Sequence, residues 1–454
     1  MSPKKYVVMG AGEIGRYLAR GLSADGHSVT LIDSDPAKQR QIEEQCDVGF
    51  VLGNGSHVPT LEGAGVAGCD LFIAAGSSDE ANLAASLLAK RMGAPHCVVR
   101  VNTSEDVTRY RRIYEQAFEA DLLLSTQLLT TTRILNHVLG YNTLEIEYIA
   151  AGALQVRRTA IEDGSILSQK PLSECGLPRD TLVLAFISEG KVRVPTGRDR
   201  AQVGEDALVI GTPESIDIFE RRVSQHSRRL GLVLIAGGGA TAQAVIDGLG
   251  AQAARVKVIE ADRDRAEELA ALFPRHDIIH GDATELSVLA SEGVGAADTF
   301  IALTGHDEAN LMACLLAQEL GVSKLTALVQ KSETSTLWQK VAVLDVVSPR
   351  TIAAERIRSY IDTDFEPHIV SFENGAAQFV QRTVYEQSPA AGGLLESIEI
   401  PAGLLVAAVL RNGQTTIPRG DFRLEVGDGV VLFVGREEVS IAQLLFPGPD
   451  ASTL

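Results

Sequence analysis

Cysteine is scarce: five residues in 454, at Cys46, Cys69, Cys97, Cys175 and Cys314, with no CxxC pair among them. That spacing excludes a disulfide framework and a zinc motif, and it reads as free, mostly buried thiols in a reducing compartment. Long apolar runs are missing too, none approaching the roughly 20 residues that cross a bilayer. A strand begins within six residues of the start, which leaves no room for a signal peptide. The expectation is a cytosolic protein. Positive charge is in deficit, with 41 Lys and Arg against 59 Asp and Glu and a formal net charge of −18. Such a balance argues against nucleic acid as a partner, because phosphate binding needs clustered cations. The basic stretch at 221–229 reads as a solvated linker helix. Aromatics make up 5% of the chain. HExxH, GxSxG and GxxxxGK[ST] are all absent, and nine histidines are scattered without a shared motif. Catalysis therefore has no visible machinery, and no metal site is expected. A soluble NAD-dependent oxidoreductase stays as an alternative, as does a plain ligand-binding scaffold.

Alanine, glycine, valine and leucine are abundant, and they suit buried parallel sheets flanked by helices. The stretch YVVMGAGEIGRYLARGL at 6–22 reads as strand, glycine-rich turn and helix, and LVLIAGGGATAQAVIDGL at 232–249 repeats it. Aligning the two turns aligns much more. VTLIDSDPAKQRQIEE at 29–44 answers to VKVIEADRDRAEELAA at 256–271, and SDEANL answers to HDEANL. The segments behind these units repeat as well, with Pro195 matching Pro418 and Gly204 matching Gly427 in a VG-D turn. The fold class is α/β with internal duplication: two Rossmann-like parallel-sheet domains, each followed by a small α+β domain. Boundaries fall at 1–140, 141–226, 227–362 and 363–454. An amphipathic helix opened by Ser-Thr or Ser-Pro links each large unit to its small one.

Gly10, Gly12 and Gly15 satisfy GxGxxG directly between strand and helix. The first allows a tight turn, the second lets backbone approach a pyrophosphate, and the third packs helix on strand. Phosphate would then sit on the free N–H groups and positive dipole of the helix start. Asp33 stands at the end of the next strand, where a carboxylate accepts from a ribose diol and repels a 2′-phosphate. Arg100, at the end of a later strand, is placed to pair with a terminal phosphate. The second turn reads Gly237, Gly238, Gly239, with Ala242 in the third glycine's place and Glu260 as the acid. Leu328 stands where the first half has Arg100, which makes the second site the weaker one. Asp79 and Glu80, like Asp307 and Glu308, suit the start of a helix.

Together, the GxGxxG unit, Asp33, the turns at Gly53 and Gly281, and SDE-N at 78–82 resemble the RCK (KTN) domain. The small domains, with their VG-D-L-V-G endings, resemble the RCK C-terminal domain. Tandem and without a membrane segment, the chain is similar to the regulatory subunits of Trk-type potassium uptake. The resemblance implies a homo-oligomeric ring of four chains on the inner face of the cell membrane. It would lie beneath a potassium-translocating subunit of Trk type or, alternatively, another cation channel or antiporter. It implies NAD(H) and/or ATP/ADP as ligands. Carried over, the first-site contacts are Gly10, Ala11, Gly12, Glu13, Ile14 and Gly15, with Asp33, Gly76, Ser77 and Arg100. The second-site counterparts are Gly237, Gly238, Gly239, Ala240, Thr241 and Glu260. Gly76 and Ala242 depart from the family pattern, the first replacing a residue that is often hydroxylated.

Overall fold

The structure is a computed structural model that describes residues 3–102, 105–139, 154–188, 191–223, 230–250, 253–330, 338, 345–362, 370–372, 376–401, 403–411, 414–435 and 439–447. Most of the basic stretch at 221–229 lies outside them. The chain divides into two compact units, one of Met1–Gly140 with Arg229–Phe365 and one of Tyr141–Arg228 with Glu366–Leu454. Each unit thus collects one part from each half of the duplication.

In the first unit, β1 (Lys5–Met9), α1 (Glu13–Ala24), β2 (Ser28–Asp33), α2 (Pro36–Gln45), β3 (Gly49–Leu52) and α3 (Val58–Gly63) form one wing of a Rossmann-like domain. The other wing comprises β4 (Leu71–Ala74), α4 (Asp79–Arg91), β5 (Cys97–Val101), α5 (Glu105–Ala117), β6 (Leu122–Ser125) and α6 (Thr126–Leu139). The sheet order is β3-β2-β1-β4-β5-β6, all parallel. The central strand Leu71–Ala74 and even the edge strand Leu122–Ser125 are buried at every residue, because helices cover both faces. Cys69 and Cys97 lie in this core, and burial pushes their thiols up to about 11 and about 12. Helix starts are marked by the sequence. Asp35 caps α2 through Ala37 N–H ahead of Pro36, and Ser78 caps α4 through Ala81 N–H.

The small domain of the first half contains β7 (Gln155–Ala160), α7 (Ile166–Gln169), β8 (Thr181–Ser188), β9 (Lys191–Arg193), β10 (Asp206–Gly211) and α8 (Pro213–Val223), with sheet order β7-β10-β8-β9. The second Rossmann-like domain follows with β11 (Leu230–Ala236), α9 (Ala240–Leu249), β12 (Ala253–Glu260), α10 (Arg263–Leu272), β13 (Asp277–His280) and α11 (Leu286–Ser291). It continues through β14 (Thr299–Ala302), α12 (Asp307–Glu319), β15 (Leu325–Leu328), β16 (Asp345–Val347) and α13 (Pro349–Asp362). Its parallel order, β13-β12-β11-β14-β15-β16, copies that of the first domain. The second small domain has β17 (Val370–Phe372), β18 (Ala377–Thr383), β19 (Leu404–Arg411), β20 (Gln414–Thr416), β21 (Gly429–Gly435) and α14 (Val439–Leu445), ordered β17-β18-β21-β19-β20 and antiparallel.

The Rossmann-like domains are joined by an exchange. Helix α6, from the first half, packs on α9 of the second, and α13, from the second half, packs on α1 of the first. The two exchanged helices also pack on each other. Small residues permit the close approach. A side chain at Gly248 would run into Leu135 of α6, and one at Gly21 would lie 3.3 Å from the Arg358 guanidinium of α13. Lys324 Nζ donates to the Val138 carbonyl (2.9 Å), and Arg358 pairs with Asp25.

In the second unit, the two small sheets share one apolar core, to which Val156, Leu184 and Leu208 contribute from one side and Phe379, Ala408 and Phe433 from the other. The VG-D turn behind it is built round Asp428, which is 2% exposed. Arg411 grips both its oxygens, Nε to Oδ1 at 2.7 Å and Nη2 to Oδ2 at 2.8 Å, and Glu425 N–H adds a third bond. Burial pushes this carboxyl up, but the Arg411 fork and the Glu425 N–H outweigh it and hold the group below its ordinary 3.8. A depressed folded value means that the contribution is present above that pH and is lost as pH falls through the folded value. Asp428→Asn is expected to cost about 2–3 kcal/mol, because it replaces the charged acceptor of the Arg411 fork and leaves Arg411 with Glu425 alone as its charge partner. Urea unfolding at neutral pH checks this, and the deficit should shrink toward pH 3. An unchanged midpoint would show that the pair is idle.

Candidate functional site

The carboxyl ends of β1, β2, β4 and β5 open on one cleft of about 630 Å³ at the point where the strand order reverses. Gly10 turns the chain out of β1 at φ +103°, with its N–H on the Ile32 carbonyl at 2.7 Å. A Cβ there would sit 2.7 Å from the Ala75 carbonyl oxygen, so β4 closes directly on the turn. Gly12 is the N-cap of α1 and offers no side chain to the first-turn N–H groups, and a Cβ on it would meet nothing within 4 Å. Open space therefore lies in front of unsatisfied donors at a helix N-terminus. Gly15 packs against the Gly10 carbonyl, and Ala11 is fully buried, so these two shape the turn from behind while Gly10, Gly12, Glu13 and Ile14 line the cleft.

Asp33 also lines the cleft, and its bonds reveal a task that spacing alone did not suggest. Oδ2 accepts from Ala11 N–H (2.7 Å) and from Lys38 Nζ (2.9 Å), and Oδ1 accepts from Asp35 N–H (3.0 Å). The acid holds the glycine-rich turn in place. Burial raises its pKa, but the Lys38 ammonium and the two N–H groups prevail and keep it below 3.8. Glu260 repeats the arrangement in the second half, with Oε2 on Gly238 N–H (2.6 Å) and Oε1 on Asp262 N–H (2.9 Å).

Gly76 and Ser77 form the far lip, and Asn82 organises it. This fully buried side chain accepts from Gly76 N–H (2.8 Å) and donates to the carbonyls of Gly76 (3.0 Å) and Arg100 (2.8 Å). A Cβ at Gly76 would lie 2.9 Å from Asn82 Oδ1, so Asn82 would have to shift to admit a side chain there. In the second half, Thr304 supplies a hydroxyl there, at 2.7 Å from Asn310 Oδ1. Arg100 lines the cleft, with Nε on Thr126 Oγ1 (2.9 Å), Nη1 on the Gly76 carbonyl (2.9 Å) and Nη2 on Asn102. Asp79, at the start of α4, has its own fixed task, accepting from Asn102 N–H at 2.9 Å. Among the described residues, no three His, Cys, Asp or Glu side chains come together as metal ligands.

Gly237 turns at φ +94°, and Gly239 caps α9 with open space in front of it. Ala240 and Thr241 start that helix, so the second turn keeps its backbone plan. Its surroundings differ. A Cβ at Gly238 would run into Leu269, Arg265 Nε donates to the Gly238 carbonyl (3.2 Å), and Leu328 is buried where the first half has its guanidinium. Ala242, also buried, carries the methyl that Gly15 lacks.

Lys38, Asn54, Gly55 and Arg350 line the first cleft and were not among the candidates. For Asn54 and Gly55 a signal existed, since a Gly-Asn-Gly turn follows the strand beside β2. For Arg350 no local signal existed.

Residues 6–121 and 233–349 match the model of the TrkA-N domain, and residues 379–445 match the TrkA-C domain. The chain is 27% identical over 444 residues to the Trk system potassium uptake protein TrkA homolog of Archaeoglobus fulgidus, covering 97% of this chain and 100% of that protein. It is 26% identical over 438 residues to the Trk system potassium uptake protein TrkA of Haemophilus influenzae, covering 95% of each. The GsuK channel bound to NAD superposes with a TM-score of 0.59 at 18% identity, over 98% of this chain and 79% of that one. The GsuK RCK domain does so with a TM-score of 0.58 at 17% identity, over 98% of this chain and 95% of that one. These two likenesses concern the fold.

Proposed function

Because the chain belongs to the TrkA-N domain family, with that domain in both halves and a TrkA-C domain behind the second, we propose that it is the nucleotide-sensing regulatory subunit of a potassium-translocating membrane protein. The partner is of Trk type, as in the names of the full-length relatives, and the chain docks on its cytoplasmic side as a tetrameric ring. Among the described residues, no helix is long and apolar enough to cross a membrane, so the permeation path belongs to the partner. The chain regulates and does not catalyse. Its four parts are the domains at 1–140, 141–226, 227–362 and 363–454.

The observation that carries this reading is the first cleft, where an uncapped helix N-terminus, the Asp33-braced turn and Arg100 face one space. Such a constellation suits NAD(H) or ATP/ADP, and GsuK structures with NAD and with ADP show nucleotides in proteins of this fold. The phosphates sit at the turn Gly10 to Ile14 and toward Arg100, the ribose at Asp33, and Gly76 and Ser77 border the rest. Gly237 to Thr241, with Glu260, form the second and weaker site. A ligand that prefers one ring conformation 100-fold biases it by about 2.7 kcal/mol per occupied site.

Potassium uptake at low external potassium, in cells lacking this gene, tests the proposal. Wild-type chain should restore uptake and its nucleotide response. Asp33→Ala should not, with nucleotide affinity lowered about tenfold. Uptake that is independent of the gene would remove the assignment.

A further inference from the structure

One side chain in the first cleft does not come from the first half. Arg350, the second residue of α13, lines the cleft because α13 packs on α1, and its Nη1 lies 2.7 Å from Glu13 Oε1. Glu13 is the first residue of α1, inside the glycine-rich turn. Its other oxygen, Oε2, is buried without a hydrogen-bond partner. A carboxylate at a helix N-terminus gains from the dipole, but this one leaves half its acceptor capacity unused. Across the cleft stands the Arg100 guanidinium, whose positive form is disfavoured by burial and, in smaller part, by the charge of Arg350. Two guanidiniums and an open helix N-terminus thus converge on a space that holds one half-satisfied carboxylate. That arrangement is complementary to a more highly charged anion than Glu13.

The exchanged helices begin in the same register, Thr126–Gln127 in α6 and Pro349–Arg350 in α13. Gln127 therefore stands where Arg350 stands, as Leu328 stands for Arg100. Both positive charges belong to the first site, and at the second site their places are taken by Leu328 and Gln127.

We infer that Arg350 is a ligand, supplied by the second half, for the linked phosphates of a nucleotide in the first site, and that it exchanges Glu13 for phosphate oxygen when the nucleotide enters. The inference rests on the nucleotide-site reading above and deepens it in two ways. The preferred ligand class becomes nucleotides with at least two linked phosphates. The Glu13–Arg350 pair, which ties the two halves together, becomes the contact that registers occupancy.

Calorimetric titration of the full-length protein with ATP, NAD and AMP tests it. Arg350→Gln should weaken ATP or NAD by about 10- to 100-fold, the worth of one charge-assisted contact, and change AMP by less than about twofold. Glu13→Gln, which keeps the side-chain shape and frees the guanidinium, should tighten ATP severalfold. Binding of ATP or NAD by wild type that Arg350→Gln leaves unchanged, or an equal loss for all three ligands, overturns the role of Arg350 alone. Wild type that binds none of the three overturns the nucleotide site itself, and this inference with it.

Discussion

Alanine at position 10 is expected to destabilise the first Rossmann-like domain by about 3–5 kcal/mol and to remove nucleotide binding at its cleft. Two costs combine. The backbone at φ +103° is one that a side chain rarely tolerates, and the new methyl would press on the Ala75 carbonyl and Gly76 N–H at 2.7 and 2.9 Å. Neither neighbour can yield, because both are backbone at the end of a central strand. Gly12→Ala is the informative contrast. Its φ of −74° is ordinary, and its methyl would meet nothing within 4 Å. Stability should therefore change by no more than about 0.5 kcal/mol, while affinity falls because the methyl occupies ligand space. Urea midpoints and nucleotide titrations on the two variants separate a folding role from a binding role. Equal destabilisation by both would contradict the geometry.

Asn82→Ala should cost nearly as much, about 3–4 kcal/mol, because it strands Gly76 N–H and the Arg100 carbonyl and removes one of two donors to the Gly76 carbonyl. Those groups form the lip of the cleft and the base of Arg100. Nucleotide affinity at the first site should fall by at least about 30-fold, which is 2 kcal/mol. Asn310→Ala makes the parallel deletion in the second half, where Asn310 holds Thr304 and the Leu328 carbonyl. It should cost similar stability and leave first-site affinity within about threefold. If the two variants weaken binding alike, Asn82 acts through global stability and not through the lip it organises.

Much of this was legible in the sequence because the relevant physics is local. Glycines at 10, 12 and 15 between an apolar strand and an amphipathic helix specify a turn whose backbone few other residues can follow, and the repeat of that pattern specifies a second domain. The task of Asp33 was half legible. Spacing places a carboxylate at the strand end, but only the folded chain brings Ala11 N–H and Lys38 onto it. Asn82 belonged to a recognisable motif, yet its purpose depends on where the ends of β4 and β5 meet. Arg350 was beyond reach. An apolar stripe tells that α13 must be covered, but not by which domain, and the helix that covers it lies more than three hundred residues away in the chain. The sequence did show that the two sites differ, in Leu328 against Arg100 and Ala242 against Gly15; the mismatch of Gln127 with Arg350 gains meaning only once the helix exchange is seen.

The exchange of α6 and α13 also bears on how this molecule responds to dilution. Two separate Rossmann-like chains that traded helices in this way would associate by mass action and come apart at low abundance. Here the partners are held by the same backbone, so their encounter is governed by a fixed effective concentration. A cell that makes little of the protein still has every copy in the paired form. Each domain also lends the other a helix it cannot fold well without, so heat or denaturant should melt the two in a single transition.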